Sequence, residues 1–199
     1  MKKNLLKLKS IKIHNSNDVN NSVKKKEITE WSKNSNDSIG IIYVYNGNID
    51  LSSLKLSEGL NLPGIVNGGL YLNSLTSAEG LKLPETVNGN LNLESITSAE
   101  GLKLPETING NLYLNSLKSA EGLNLPVILN RGINLEALTS AEGLKLPETI
   151  NGNLFLNSLT SAEGLKLPET INGNLYLDSI LVVEKEKLKE KYPQHTYKI

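Results

Sequence analysis

This sequence predicts a mainly β chain, wound as a parallel β-solenoid of about seven 21-residue coils with terminal caps and a short C-terminal α-helix. Three observations carry that reading. Gly-Leu-x-Leu-Pro recurs at Gly59, Gly80, Gly101, Gly122, Gly143 and Gly164, and an opening Asn recurs at Asn46, Asn67, Asn88, Asn109, Asn130, Asn151 and Asn172. Both series step by 21 residues without an insertion, and a fixed period of this size marks stacked coils. Within a unit, leucines alternate with polar or aromatic residues at the strand period of two, and no unit carries apolar residues at helical spacing.

Residues 1–38 lie outside the repeat and read as an N-terminal cap. "LLKLKSIKI" alternates like a strand, "HNSNDVNNS" reads as a loop, and "KKKEITEWSKN" reads as one or two helical turns with Trp31 against the first coil. Lys24, Lys25 and Lys26 fit the solvated start of that helix, an anion patch being the alternative. Residues 39–180 form the solenoid. In the fourth unit, Leu112, Leu114 and Leu117 point inward along a strand and the bend after it, while Tyr113 and Asn115 point outward. Leu123 and Leu125 form a second inward stretch, closed by Pro126, which cannot donate to a ladder. Asn-Gly and Glu-Gly mark corners, because Gly takes positive φ cheaply. About six apolar side chains per coil then face the axis, and seven coils at ~4.8 Å per step make a rod of ~30 Å. Residues 181–199 cap the far end. Glu184 to Leu188 reads as an amphipathic helix with Ile180, Val183, Lys187 and Leu188 near one face, stopped before Pro193, and "HTYKI" adds a last strand.

The LxLPxxIxGxLxLxxL frame, spanning residues 39–180, resembles the leucine-rich repeats of bacterial proteins, and its IxGxLxL part resembles the coils of receptor L domains, which are right-handed β-helices. The resemblance implies a parallel solenoid and a binding role, and it specifies no ligand. In one respect the chain departs from the leucine-rich pattern: the inward Asn is missing, with Ser116 or Ala137 in its place. A leucine-rich horseshoe and a compact β-helix both stay open, with the 21-residue coil favouring the second or a hybrid.

Composition narrows the function. Hydrophobic residues make up 38% and aromatic ones 5%, which suits thin coils filled by Leu. Lys and Arg total 21, as do Asp and Glu, and Arg131 is the sole arginine. Without a basic surface, nucleic acid is not an expected partner. The chain has no Cys, which excludes disulfides, thiolate nucleophiles and zinc–cysteine sites and favours the cytoplasm, leaderless export being the alternative. Lys7, Lys9 and Lys12 interrupt every apolar run near the N-terminus, so neither a secretory signal nor a membrane span is expected. His14 and His195 sit in opposite terminal segments, and no phosphate-loop, HExxH or EF-hand motif occurs. Only Asp50 and Asp178 lie within the coils, too few for the Asp clusters that cleave acidic polysaccharides. Neither catalysis nor a cofactor or metal is expected.

Repetition also lines residues up in columns. Glu58, Glu79, Glu100, Glu121, Glu142 and Glu163 form an acidic column, with Lys82, Lys103, Lys145 and Lys166 as available partners. It reads as a solvated corner, the alternative being a calcium edge with converging oxygens. The opening Asn column and Ser74, Ser95, Ser116 and Ser158 read as stacked corner residues. The outward strand face is where the units differ. Its first slot runs Asp50, Tyr71, Asn92, Tyr113, Asn134, Phe155, Tyr176, and its second runs Ser52, Asn73, Glu94, Asn115, Glu136, Asn157, Asp178. The contents alternate with a 42-residue period on a nearly constant scaffold. Rings beside amides and carboxylates are what recognition surfaces use, although Tyr and Phe are also good strand residues. A protein partner is the expected ligand of this face, with a glycan and self-assembly as alternatives. At "PVILNRGINLEAL", Val127, Ile128 and Leu129 replace a polar corner and Arg131 replaces the corner Gly. That is either local repacking or a contact patch.

Overall fold

The computed structural model describes residues 11–15, 42–126 and 128–198. Trp31, Lys24 to Lys26 and Val127 lie outside the described residues. Each coil contributes two short strands, and successive coils pair in parallel at an offset of 21: Leu91 with Leu112, then Leu112 with Ile133. An eight-stranded sheet collects Ile49–Asp50, Leu70–Tyr71, Leu91–Asn92, Leu112–Tyr113, Ile133–Asn134, Leu154–Phe155, Asn174–Tyr176 and Thr196–Lys198. A six-stranded sheet collects Ile11–Asn15, Ile42–Asn46, Ile65–Val66, Thr86–Val87, Thr107–Ile108 and Ile128–Leu129. The strand Ile11–Asn15 takes in the end of the expected N-terminal strand but runs on through His14 and Asn15, which the polar composition marked as loop, and it pairs with Ile42–Asn46 at the start of the column. Thr149–Ile150 and Thr170–Ile171 form a separate pair.

The second strand of each coil falls later than the leucine pattern suggested. Leu123 is buried and Leu125 half-buried, but neither lies in a strand. Pairing begins after the proline, at Thr107–Ile108 and its equivalents. Proline has no N–H to give, whereas the β-branched residues that follow it suit a pleated ladder. The core is as expected, with six apolar side chains per coil: Leu70, Leu72, Leu75, Ala78, Leu81 and Val87 are all buried in the second.

The two kinds of glycine corner work differently. In the Glu-Gly corner, Gly80 has φ +68 and Leu81 N–H donates to Ala78 O over 3.0 Å, the turn that demands a left-handed residue. Ser77 Oγ accepts from Glu79 N–H at 3.1 Å, an arrangement repeated at Ser98, Ser119, Ser140 and Ser161. In the Asn-Gly corner, by contrast, the left-handed conformation occurs only at Gly47. The other corner glycines serve close approach: a Cβ on Gly110 would lie 2.3 Å from the Gly89 carbonyl carbon. The opening asparagines form an amide ladder, Asn67 donating to Asn46, Asn88 to Asn67, Asn109 to Asn88, Asn130 to Asn109 and Asn172 to Asn151.

That ladder breaks where the sequence is irregular. Among the described residues no amide bond joins Asn151 to Asn130, and the second sheet is interrupted between Ile128–Leu129 and Thr149–Ile150. This is the coil in which Arg131 brings a Cβ to the tight corner. The eight-stranded sheet runs through the same coil unbroken, so the interruption is confined to one side.

The C-terminal cap is a helix, Val182–Lys191, followed by the strand Thr196–Lys198 on the end of the large sheet. Its buried face is not the expected one. Val183 and Lys187 are exposed, and Lys185 and Leu188 face inward. Lys185 buries its stem and its Nζ donates to Asp178 O at 3.1 Å, closing a carbonyl that no further coil receives. Glu184 accepts from Ser161 Oγ at 2.9 Å and Ala162 N–H at 3.2 Å. His195 is buried with Nε2 2.9 Å from Pro168 O, a capping contact.

Tyr197 donates to Leu188 O at 3.0 Å and Tyr192 O at 3.2 Å. Burial, and after it the neighbouring Tyr192, push its phenol up to about 12. An unfolded tyrosine ionises near ~10, so the folded state holds this proton longer. The stabilisation is complete below that value and is lost as pH rises through the folded one. We expect one late tyrosine in an absorbance titration, absent in Tyr197→Phe, and a cap that loosens above pH ~10 in the wild type. A titration curve unchanged by the substitution would contradict this.

Candidate functional site on the outward face of the large sheet

The two outward slots lie in register along the eight-stranded sheet: Asp50 pairs with Tyr71, Tyr71 with Asn92, and so on to Phe155 with Tyr176 and Tyr176 with Lys198. Inward neighbours such as Leu112 and Leu114 are fully buried, which fixes the alternation. The face is less open than alternation alone implies. Tyr71, Asn73, Asn92, Glu94, Tyr113, Asn115, Asn134, Phe155, Asn157 and Tyr176 are half-buried, whereas Asp50, Glu136 and Asp178 are exposed.

The reason is that the side chains bind one another along the ladder. Glu94 accepts from Asn73 Nδ2 at 2.9 Å and from Asn92 Nδ2 at 3.5 Å. Two coils on, Glu136 accepts from Asn115 at 3.2 Å and from Asn134 at 3.3 Å. Two coils further, Asp178 accepts from Asn157. Asn92 and Asn134 also accept the backbone N–H of Glu94 and Glu136, at 3.0 and 2.9 Å. Asp50 takes Ser52 N–H at 3.0 Å, and its hydrogen bonds with the Ser52 side chain and backbone hold its carboxyl below the usual range. The 42-residue period is therefore physical: an amide on one coil orients a carboxylate on the next. The nitrogens of Asn73, Asn115 and Asn157 are committed to these carboxylates, and their side-chain oxygens are buried.

Tyr71, Tyr113 and Phe155 fill alternate coils, and Tyr176 follows Phe155 on the next. A Cβ on Gly69 would lie 2.8 Å from the Tyr71 ring, so that ring lies over the glycine. Asn111, in the equivalent position, donates to Tyr113 OH at 3.3 Å. Phe155 and Tyr176 stack with centroids 4.4 Å apart and planes 11° from parallel. Sequence reasoning missed Gly69 and Asn111; their signal was position, two residues before each ring on the same strand face.

Other candidates do not assemble into sites. The acidic column stays exposed, and its expected lysine partners do not close on it: among the described residues the only ion pair is Lys189–Glu186, at 2.8 Å on the cap helix. Shallow open hollows line this corner, one of about 640 Å³ between Lys118 and Lys145. Among the described residues no helix is long and apolar enough to cross a membrane.

The fold defines the class, a parallel β-solenoid of about seven coils. Compared with known proteins, the chain matches no family model, and it is significantly similar to no curated protein and no solved structure.

Proposed function

We propose that this chain is a non-catalytic repeat scaffold that binds another protein through the outward face of the large sheet. One observation supports it above the rest: the inward positions stay aliphatic and nearly constant, while the outward slots carry a two-coil pattern of rings and oriented carboxylates. A scaffold needs only compact strand residues there. Half-buried rings offer contact area at low entropy cost, and fixed carboxylates offer direction. Kinship with leucine-rich repeats or receptor L-domain coils belongs to this reading and rests on the LxLP and IxGxLxL frame.

Glycan binding is the alternative. Sugars stack on ring faces, but Phe155 and Tyr176 stack on each other along the ladder and so turn their edges outward. That pair suits a protein surface better. The test is the Tyr71→Ser, Tyr113→Ser, Phe155→Ser variant in an affinity capture from cells of the source organism, with a glycan array in parallel. Captured protein should disappear while the circular dichroism spectrum stays unchanged. Partners that survive the triple change would end this reading, and array signals lost in the variant would replace it with the glycan one.

A further inference from the structure

Resting on that reading, we infer that the face takes an arginine-bearing helix of a partner protein, laid along the stack. The argument starts from charge. The chain as a whole is neutral, yet between Asp50 and Asp178 the two outward slots hold four carboxylates and no Lys or Arg. Lys55, Lys118 and Arg131 stand outside the slots, at the bend and the corner, and Lys198 lies at the capped end. Glu94 and Glu136 each use one lone pair per oxygen on Asn amides. A carboxylate has about four such sites, so two stay available for an incoming donor. Guanidinium fits that need, since it binds a carboxylate bidentately and also packs on aromatic rings. Tyr71 and Tyr113 stand on the coils either side of Glu94, and Tyr113 and Phe155 on those either side of Glu136.

Spacing supplies the second half. Glu94, Glu136 and Asp178 recur every second coil, which is ~9.6 Å along the ladder. Seven residues of α-helix rise ~10.5 Å and return to nearly the same side. Same-side residues of an extended strand fall at ~6.8 or ~13.6 Å and miss this interval. Three arginines at seven-residue spacing on one helix therefore meet three carboxylates in turn.

The probe is a helix-forming Ala-rich peptide with Arg at positions i, i+7 and i+14. A second peptide of identical composition has its arginines at i, i+2 and i+5. Binding of each to the full chain is measured by fluorescence anisotropy at two salt concentrations. The spaced peptide should bind about tenfold or more tightly than the scrambled one, and more weakly at high salt. Glu94→Gln with Glu136→Gln should remove most of that advantage, while Glu100→Gln with Glu121→Gln on the acidic corner should not. Equal binding of the two peptides, equal loss in the corner variant, or no binding to the wild type would each overturn the inference. The broader reading is judged separately: a captured partner lost in the Tyr71, Tyr113, Phe155 variant but kept in the Glu94, Glu136 variant leaves the face a binding site and refutes the arginine helix.

Discussion

Gly110→Ala destabilises the fold by about 3 kcal/mol, the upper end for forcing a methyl into packed structure, while Gly80→Ala costs about 1 kcal/mol. The two glycines look alike in sequence, each following a polar residue at a corner of a coil. At Gly110, an added Cβ meets the Gly89 carbonyl carbon at 2.3 Å, its oxygen at 2.4 Å and Asn90 N at 2.5 Å. All three are backbone atoms, and the coil below is tied down in turn by Gly89 N–H to Gly68 O at 2.9 Å. Relief requires parting two coils. At Gly80 nothing lies within 4 Å, and the only cost is a left-handed φ of +68. Because each coil touches only its neighbours, damage at Gly110 falls on one interface and splits the column rather than softening it evenly. Urea titration should show a large drop in midpoint and a broadened transition for Gly110→Ala, and a small parallel shift for Gly80→Ala. Similar losses at both sites would mean that corner contact does not limit the stack. The chain carries its own precedent: Arg131 occupies the same corner slot, and in that coil the second sheet and the asparagine ladder are interrupted.

Much of this architecture was legible because a solenoid repeats its instructions. The 21-residue step set the coil, and the alternation around Leu112 and Leu114 identified the inward and outward faces. Where the reading slipped, the cause was local. A two-residue strand such as Thr107–Ile108 is too short to show a period, so the leucines before the proline drew the assignment instead. The close approach at Gly110 depends on the coil beneath it, 21 residues away, and a local motif reads the same with or without that neighbour. Helical spacing from Ile180 points to Val183, Lys187 and Leu188 as the inner face of the cap helix, and of these only Leu188 is buried. Lys185 lies inside because its amine closes the Asp178 carbonyl. On the candidate face, the alternation of Asn73, Glu94, Asn115 and Glu136 was plain, but its cause was not. Each amide reaches across to a carboxylate 21 residues away, a link no local motif carries, and it turns a pattern of residue types into a rigid surface.

Deletion of residues 181–199 should make the chain associate with itself, because of what the cap covers. The last strand, Thr196–Lys198, occupies the free edge of Asn174–Tyr176, which otherwise presents unpaired N–H and C=O groups to any passing strand. Leu165, Leu167, Leu175 and Ile180 are buried at this end, with Leu188 of the helix in the same core cluster. Exposing such a side chain costs about 1.5–3 kcal/mol, and the truncation opens several at once. The polar contacts go too: Glu184 to Ser161 and Ala162, Lys185 to Asp178, and His195 beside Pro168. Two responses are open to the truncated chain. Its last coil frays until the next serves as the edge, or its edge pairs with that of another copy. Light scattering separates them, since fraying leaves a monomer with a lower melting temperature and pairing gives growing species that scale with concentration. The regularity of the column favours pairing, because the exposed edge presents the 21-residue register that another copy's coil already fits. A truncated chain that stays monomeric and melts at the wild-type temperature would show that residues 181–199 are no cap.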